Sequence, residues 1–243
     1  MNIAITRLKE KETDDKERCL RYGHDCYSVS PLFSRHDPDQ IDEFVRMVMR
    51  REFDCIFFTS ALPAAIIAPM LVHIPLPRVI AIGPQTAKIL RSHGVLCEVL
   101  PTFYSKAFVP YLGSWIAGKR IGLPRANVAN ESLKCAIQEA QAEIYEYGCY
   151  SLCPTHELID LDIGTDAILF TSSLSFQACI WKRHPDLITI AIGEITAETM
   201  IHAGLKPDIV GDGSLEGTLD EINMYLLLHP CISTSHHSEK FSI

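Results

Sequence analysis

One stretch of this chain is written twice. AIGPQTAKILRSHGV (Ala81 to Val95) returns as AIGEITAETMIHAGL (Ala191 to Leu205), with Ala-Ile-Gly, Thr-Ala and the later Gly in register. Three more pairs keep the same order: IAITR (Ile3 to Arg7) with IGLPR (Ile121 to Arg125), CYSVSP (Cys26 to Pro31) with CYSLCP (Cys149 to Pro154), and FFTS (Phe57 to Ser60) with LFTS (Leu169 to Ser172). Near-constant spacing across all four pairs identifies a duplicated αβ unit whose loops vary while its elements do not. Two copies predict two lobes with a cleft between them, the usual place for a small-molecule site.

With 243 residues the chain can form two domains of about 110 residues each. A hydrophobic content of 47% beside 21% charged residues is that of a globular α/β protein and excludes a disordered chain. The net charge of −8 comes without a Lys/Arg block, so the footprint of a nucleic-acid binder is missing. Nine scattered cysteines form no pair of CxxC motifs, and read as free thiols in a reducing cytosol. The amino terminus has no long apolar run of a secretory signal, so a cytoplasmic protein is expected. Cys55 to Pro77 lacks Asp, Glu, Lys and Arg, but its four prolines and strand-like CIFFTS opening point to buried strand, loop and helix rather than a membrane span.

Short apolar runs alternate with amphipathic stretches throughout. The strands expected in the first copy are NIAITR, CYSVSPLF, CIFFTS, RVIAIG and CEVLP. Helices are expected at Lys9 to Arg21 and at Asp39 to Arg50, the latter with Ile41, Phe44, Val45 and Val48 on one face. The second copy offers RIGLPR, EIYEYGCYSL, AILFTS, ITIAIG and PDIVG as strands, and helices over Glu131 to Ala142, Ser175 to Trp181, Thr196 to His202 and Gly217 to Leu228. The expected fold is α/β: two doubly wound, flavodoxin- or Rossmann-like parallel-sheet domains from an internal repeat. Residues 230–243 are polar and unpatterned and read as a disordered tail, whose His236 and His237 lack companion metal ligands.

Candidate chemistry collects at the carboxyl ends of the expected strands. Gly83 with Thr86, and Gly193 with Thr196, each end a strand and open a helix. Amides at such a start attract carboxylates or phosphates, while a Thr that simply caps a helix is the plain alternative. Thr59 and Ser60, and Ser172 with Ser173 beside Thr171, follow apolar strands and could donate to an anion, though such hydroxyls are also ordinary turn residues. Arg7 and Arg125 stand at equivalent strand ends, either clamping carboxylates or merely lying at the surface. Tyr27 and Tyr150 each precede a proline by four residues. The chain has no GxGxxG after the first strand, no GxxxxGK[ST], no HExxH and no GxSxG elbow, which disfavours nucleotide cofactors, a catalytic metal and a serine hydrolase.

In this order the motifs resemble the uroporphyrinogen-III synthase family. The resemblance runs from Ile3 to about Leu228 and rests on Thr6-Arg7, Phe58-Thr59-Ser60, the twice-used AIGxxTA helix start, Tyr150 followed by Pro154, and Ser214 before the last helix. It implies a cofactor-free lyase of tetrapyrrole biosynthesis that closes hydroxymethylbilane with inversion of ring D through a spiro intermediate. Tyr150 would be the acid; Arg7, Thr59, Ser60, Gly83, Thr86, Arg125, Ser172, Ser173, Gly193, Thr196 and Ser214 would bind the octacarboxylate. A monomer without metal, nucleic-acid or membrane partner is implied. So is an exchange of halves: residues 1–30 with 155–229 as one domain, 37–148 as the other, and 31–36 with 149–154 as a two-stranded connection. The repeat itself is equally compatible with tandem lobes at 2–114 and 119–229.

The chain departs from the family pattern at Ala126 and Asn130, where Gly and Arg are usual, and at Glu194, where Pro is usual. The first Phe-Thr-Ser turn also runs on as TSALPA, without the customary Pro. A two-lobed anion or tetrapyrrole binder without catalysis is the rival reading, and a degenerate relative with a regulatory role a weaker one. Tyr150→Phe separates enzyme from binder.

Overall fold

The computed structural model describes residues 1–8, 14–128 and 130–229. The chain opens with β1 (Asn2–Leu8), α1 (Asp15–Arg21), β2 (Asp25–His36), α2 (Pro38–Met49), β3 (Cys55–Phe58) and α3 (Ala61–Ile67). It continues through β4 (Arg78–Ala81), α4 (Pro84–Ser92), β5 (Glu98–Val99), α5 (Phe108–Leu112), β6 (Arg120–Ala126), α6 (Glu131–Glu139) and β7 (Glu143–Pro154). The remaining elements are β8 (Leu158–Ile159), β9 (Ala167–Phe170), α7 (Ser173–Ala178), β10 (Ile180–Trp181), β11 (Ile188–Ala191), α8 (Glu194–His202), β12 (Ile209–Val210) and α9 (Leu215–Leu228). The expected tail at 230–243 and the first residues of the expected Lys9 to Arg21 helix lie outside the described residues.

The fold is mixed α/β and built on parallel sheet. Two compact units divide the chain: Met1–Ser34 together with everything from Cys153 onward, and Arg35–Leu152. In the first unit the strand order is β2-β1-β9-β11-β12, all parallel. The second runs β7-β6-β3-β4-β5, again all parallel. Each unit therefore has two neighbouring strands from one stretch of sequence beside three from another, and each has a point where the winding reverses: between β1 and β9 in the first, between β6 and β3 in the second.

Uniform burial explains why the central strands are apolar without alternation. In β3, Cys55 and Phe57 face one core cluster, with Ile80, Phe108 and Leu123, while Ile56 and Phe58 face another, with Phe44, Ile67 and Ala81. Likewise Ala167 and Leu169 of β9 join Ile3 and Ile190 on one face, and Ile168 and Phe170 join Ala4 and Met200 on the other. A strand with both faces covered has no reason to alternate. Helix α2 buries Ile41, Phe44 and Val48 as their spacing predicts, and Asp37 caps it by accepting from the Gln40 N–H at 3.1 Å.

The helix expected over Ser175 to Trp181 is shorter. It ends at Ala178, Cys179 turns extended, and Trp181 enters β10, which pairs with β8 in a small second sheet. There the Trp181 ring packs 5.7 Å from that of Phe170, and this contact with the core takes precedence over continuing the helix. No helix among the described residues is long and apolar enough to cross a membrane.

Candidate active site

In open parallel sheets, ligands bind beyond the carboxyl ends of the strands where the winding reverses. Each unit has one such point, and most of the sequence-predicted residues gather there. In the first unit Thr6 ends β1 fully buried. Its hydroxyl donates to the Leu169 carbonyl at 3.1 Å, accepts from the Thr171 N–H at 2.9 Å and lies 3.1 Å from Ser175 Oγ. Ser172 is exposed and caps α7 in a reciprocal box with Ser175, and Ser173 donates to the Ile195 carbonyl at 3.2 Å. These hydroxyls first satisfy the fold, leaving Ser172 and Ser173 nearest to solvent.

Arg7 follows Thr6 but is already engaged. Its Nε and Nη2 donate to the two oxygens of buried Asp15 at 2.6 and 2.9 Å. Arg125 at the end of β6 is paired with Glu146 of β7 through a single contact, from Nη1 to Oε1. Their side chains are only 13% and 11% exposed. Both arginines thus meet an internal counter-ion, and a substrate carboxylate would have to share it.

The helix starts differ from expectation in one respect. The helices α4 and α8 begin at Pro84 and Glu194, with Gly83 and Gly193 as the extended residues before them. Thr86 and Thr196 are the third helical residues, buried, and cap nothing. At Gly193 glycine takes the cap because the loop after β12 closes over it. Against Gly193, a methyl group would come within 3.1 Å of the Gly213 nitrogen. First-turn amides have no i−4 partner within their helix; Pro84 of α4 has no N–H to offer, and in α8 the Thr196 N–H is already taken by the Gly193 carbonyl at 3.1 Å. Glu194 is exposed at the start of α8. Ser214 caps α9, accepting from the Gly217 N–H at 3.0 Å and donating to Asp212 at 2.7 Å.

In the second unit Tyr150 and Ser60 come together. Tyr150 lies near the end of β7, 7% exposed. A register shift between Arg125 and Ala126 sets it opposite Ala126, whose neighbour Asn127 donates its N–H to the Tyr150 carbonyl at 2.7 Å. Such a bulge re-aims the side chains beside it. The Tyr150 phenol feels the Ser60 hydroxyl, which follows β3 beside Thr59. Burial raises the Tyr150 pKa, and the Ser60 contact opposes that shift only in part. Asn130, one of the departures, caps α6 by accepting from the Leu133 N–H at 3.2 Å. Tyr27, the counterpart of Tyr150, is used structurally, 2.6 Å from the Thr165 hydroxyl.

Sequence reasoning passed over Asp15 and Glu146, the carboxylates that hold the two arginines, because nothing in the pattern ties residues so far apart. Among the described residues no group of three or more His, Cys, Asp or Glu side chains could hold a metal ion.

Two parallel α/β units, with hydroxyls and helix starts after their strands and a buried tyrosine near the end of β7, have the architecture of the open-sheet class whose ligands bind beyond the strand ends. Residues 14–214 match the family described as uroporphyrinogen-III synthase HemD, and the chain belongs to the uroporphyrinogen-III synthase family, whose members are enzymes of tetrapyrrole biosynthesis. A protein of Methanothermobacter thermautotrophicus, provisionally assigned as such a synthase, is 28% identical over 230 residues, covering 84% of this chain and 90% of its own. An Archaeoglobus fulgidus protein with the same provisional assignment is 27% identical over 238 residues, covering 90% and 97%. The fold is shared with the solved uroporphyrinogen-III synthase of Helicobacter pylori (TM-score 0.61, 16% identity, covering 93% and 100%). It is also shared with a mutant of the Thermus thermophilus enzyme (TM-score 0.57, 17% identity, covering 93% and 99%).

Proposed function

We propose that this chain closes hydroxymethylbilane to uroporphyrinogen III with inversion of ring D, as a lyase that uses no cofactor. The observation that carries the reading is the Tyr150–Ser60 pair at the winding reversal of the second unit, in a chain of this family. A phenol held in its neutral form by burial, against the smaller opposing influence of Ser60, keeps its own proton for another acceptor. Hydrogen bonding from Tyr150 to the ring A hydroxymethyl oxygen would assist its departure as water and leave an azafulvene. Ring D then attacks through its substituted carbon, the spiro intermediate fragments, and the macrocycle recloses with ring D inverted. The proton released when the last ring regains aromaticity balances the one taken by the leaving oxygen.

The remaining work is positioning, because the unbound substrate closes without inversion. Thr59, Ser60, Ser172, Ser173 and Ser214 offer hydroxyls for the eight carboxylates, and the helix starts at Gly83 with Thr86 and at Gly193 with Thr196 offer amides. Arg7 and Arg125 contribute charge through their shared pairs with Asp15 and Glu146. We take the protein to act as a monomer in the cytoplasm. Its working domains in this reading are 1–30 with 155–229 and 37–148, duplicates of one ancestral unit, joined through 31–36 and 149–154.

The test is to give the purified protein freshly generated hydroxymethylbilane, oxidise the products and separate the porphyrin isomers. Isomer III in excess is expected. Isomer I at the level found without protein would remove the enzyme reading and leave a two-lobed tetrapyrrole binder.

A further inference from the structure

The starts of α4 and α8 are closed over differently. In the first unit Gly193 is covered by the bare backbone of Gly213, in the loop after β12, whose φ of +97° suits glycine. At the equivalent place in the second unit, the loop after β5 lays a side chain over Gly83. A methyl group on Gly83 would stand 3.4, 3.5 and 3.6 Å from Phe103 Cδ1, Cγ and Cβ. Only one edge of Phe103 is used this way, for the residue is 58% exposed, and Tyr104 beside it is 67% exposed. Lys106 places its ammonium 5.6 Å from the Tyr104 ring centroid.

The core does not account for these two rings. The loop is fixed at one end by Leu100, buried and bonded through its N–H to the Ala81 carbonyl at 3.1 Å, and at the other by Phe108, stacked on Phe57 at 4.1 Å. Between these anchors the chain presents Phe103 and Tyr104 outward. They stand at the carboxyl ends of adjacent strands, in the same row as Gly83 after β4 and Ser60 after β3. The exposed face of Phe103, with Tyr104 and the Lys106 ammonium over the Tyr104 ring beside it, matches a planar, electron-rich heterocycle bearing carboxylates.

We propose that Phe103 and Tyr104, with Lys106, form a stacking wall that holds one pyrrole ring of the tetrapyrrole and one of its carboxylates, a specificity contact supplied by the second unit alone. This rests on the proposed tetrapyrrole substrate. The geometry makes the two units unequal: one supplies ring faces where the other supplies backbone, so a chain of similar rings has a preferred end on this wall.

The test measures equilibrium binding of uroporphyrin III, by its fluorescence, to the full chain and to Phe103→Leu, Phe103→Ala and Tyr104→Ala. Leucine keeps hydrocarbon over Gly83 but has no ring face, so Phe103→Leu and Phe103→Ala are expected to weaken binding alike, by roughly tenfold, with thermal midpoints close to the parent's. Affinity retained in Phe103→Leu, or no uroporphyrin binding by the parent chain, would overturn the wall. The synthase reading is scored separately by the isomer the parent makes. Isomer III with unchanged affinity in Phe103→Leu sinks the wall alone; isomer I with affinity lost in that variant sinks catalysis and leaves the wall standing.

Discussion

Single side chains carry the sharpest expectations. Removing the Tyr150 hydroxyl leaves the ring packed among Phe58 and its neighbours, so Tyr150→Phe should fold normally, bind substrate with little change in KM and lose about 10²-fold or more in kcat. Equal turnover in steady-state assays would assign the acid elsewhere. His24 sets a pH limit. It is buried, its Nε2 has no hydrogen-bond partner among the described residues, and its Nδ1 lies 3.4 Å from the amino terminus. Desolvation first, then the Met1 ammonium, lower its pKa, while Asn223 and Asp166 pull the other way. The unfolded chain, with a histidine pKa of about 6.5, then binds the proton more readily than the folded one. Stability should therefore be intact above that pH and fall as pH drops from it towards the lower folded value. Thermal melts across this range should show that loss, and His24→Gln should flatten it. At this scale the sequence revealed residue types but not partners. Tyr150 and Ser60 were legible as candidates from their motifs. The pairing of Arg7 with Asp15 was not, since it depends on how α1 folds back against the end of β1.

Among elements, those with both faces buried were the easiest to read. CIFF and AILF are uniformly apolar because both faces are covered, and ITIA departs only at Thr189, whose buried hydroxyl donates to Asp208 at 2.8 Å. The two-residue strands β8 and β10 have no period to detect, so their small sheet was missed and α7 was drawn too long. Thr86 and Thr196 show a related ambiguity: a threonine near a helix start suits either a cap or a buried third position, and burial decides. The junction of β12 and α9 is where the packing tolerates least. A methyl group on Gly211 would meet Thr218 Oγ1 at 2.1 Å and the Ile192 carbonyl oxygen at 2.8 Å, and the second of these belongs to the backbone and cannot rotate away. Gly211→Ala should cost about 1–3 kcal/mol in denaturant melts. Gly83→Ala, meeting Phe103 at ordinary contact distance, should cost far less. Equal losses at the two positions would count against this account.

At the level of the molecule, chain order and compact unit do not coincide. The sequence could not decide which strands would be partners, because AILF and CIFF present the same apolar surface to a neighbour and carry no code for register. In the structure β1 pairs with β9, and β3 with β6. A fragment spanning residues 35–152 contains every strand of its sheet, short only of the last two residues of β7. It should unfold cooperatively by itself in circular dichroism melts, whereas residues 2–114, the first of the two tandem lobes the sequence would also allow, should not. A cooperative melt of 2–114 would contradict the pairing. The same layout sets a schedule during synthesis. The contiguous unit is complete once Leu152 has emerged, but Ile3, Ala4 and Ile5 must wait for β9, well over a hundred residues later. At about 5–20 residues per second that delay is on the order of ten seconds or more. Throughout it, β1 can pair with β2 on one side but stands open on the other, which makes that unpaired apolar edge a natural target for a chaperone while synthesis continues.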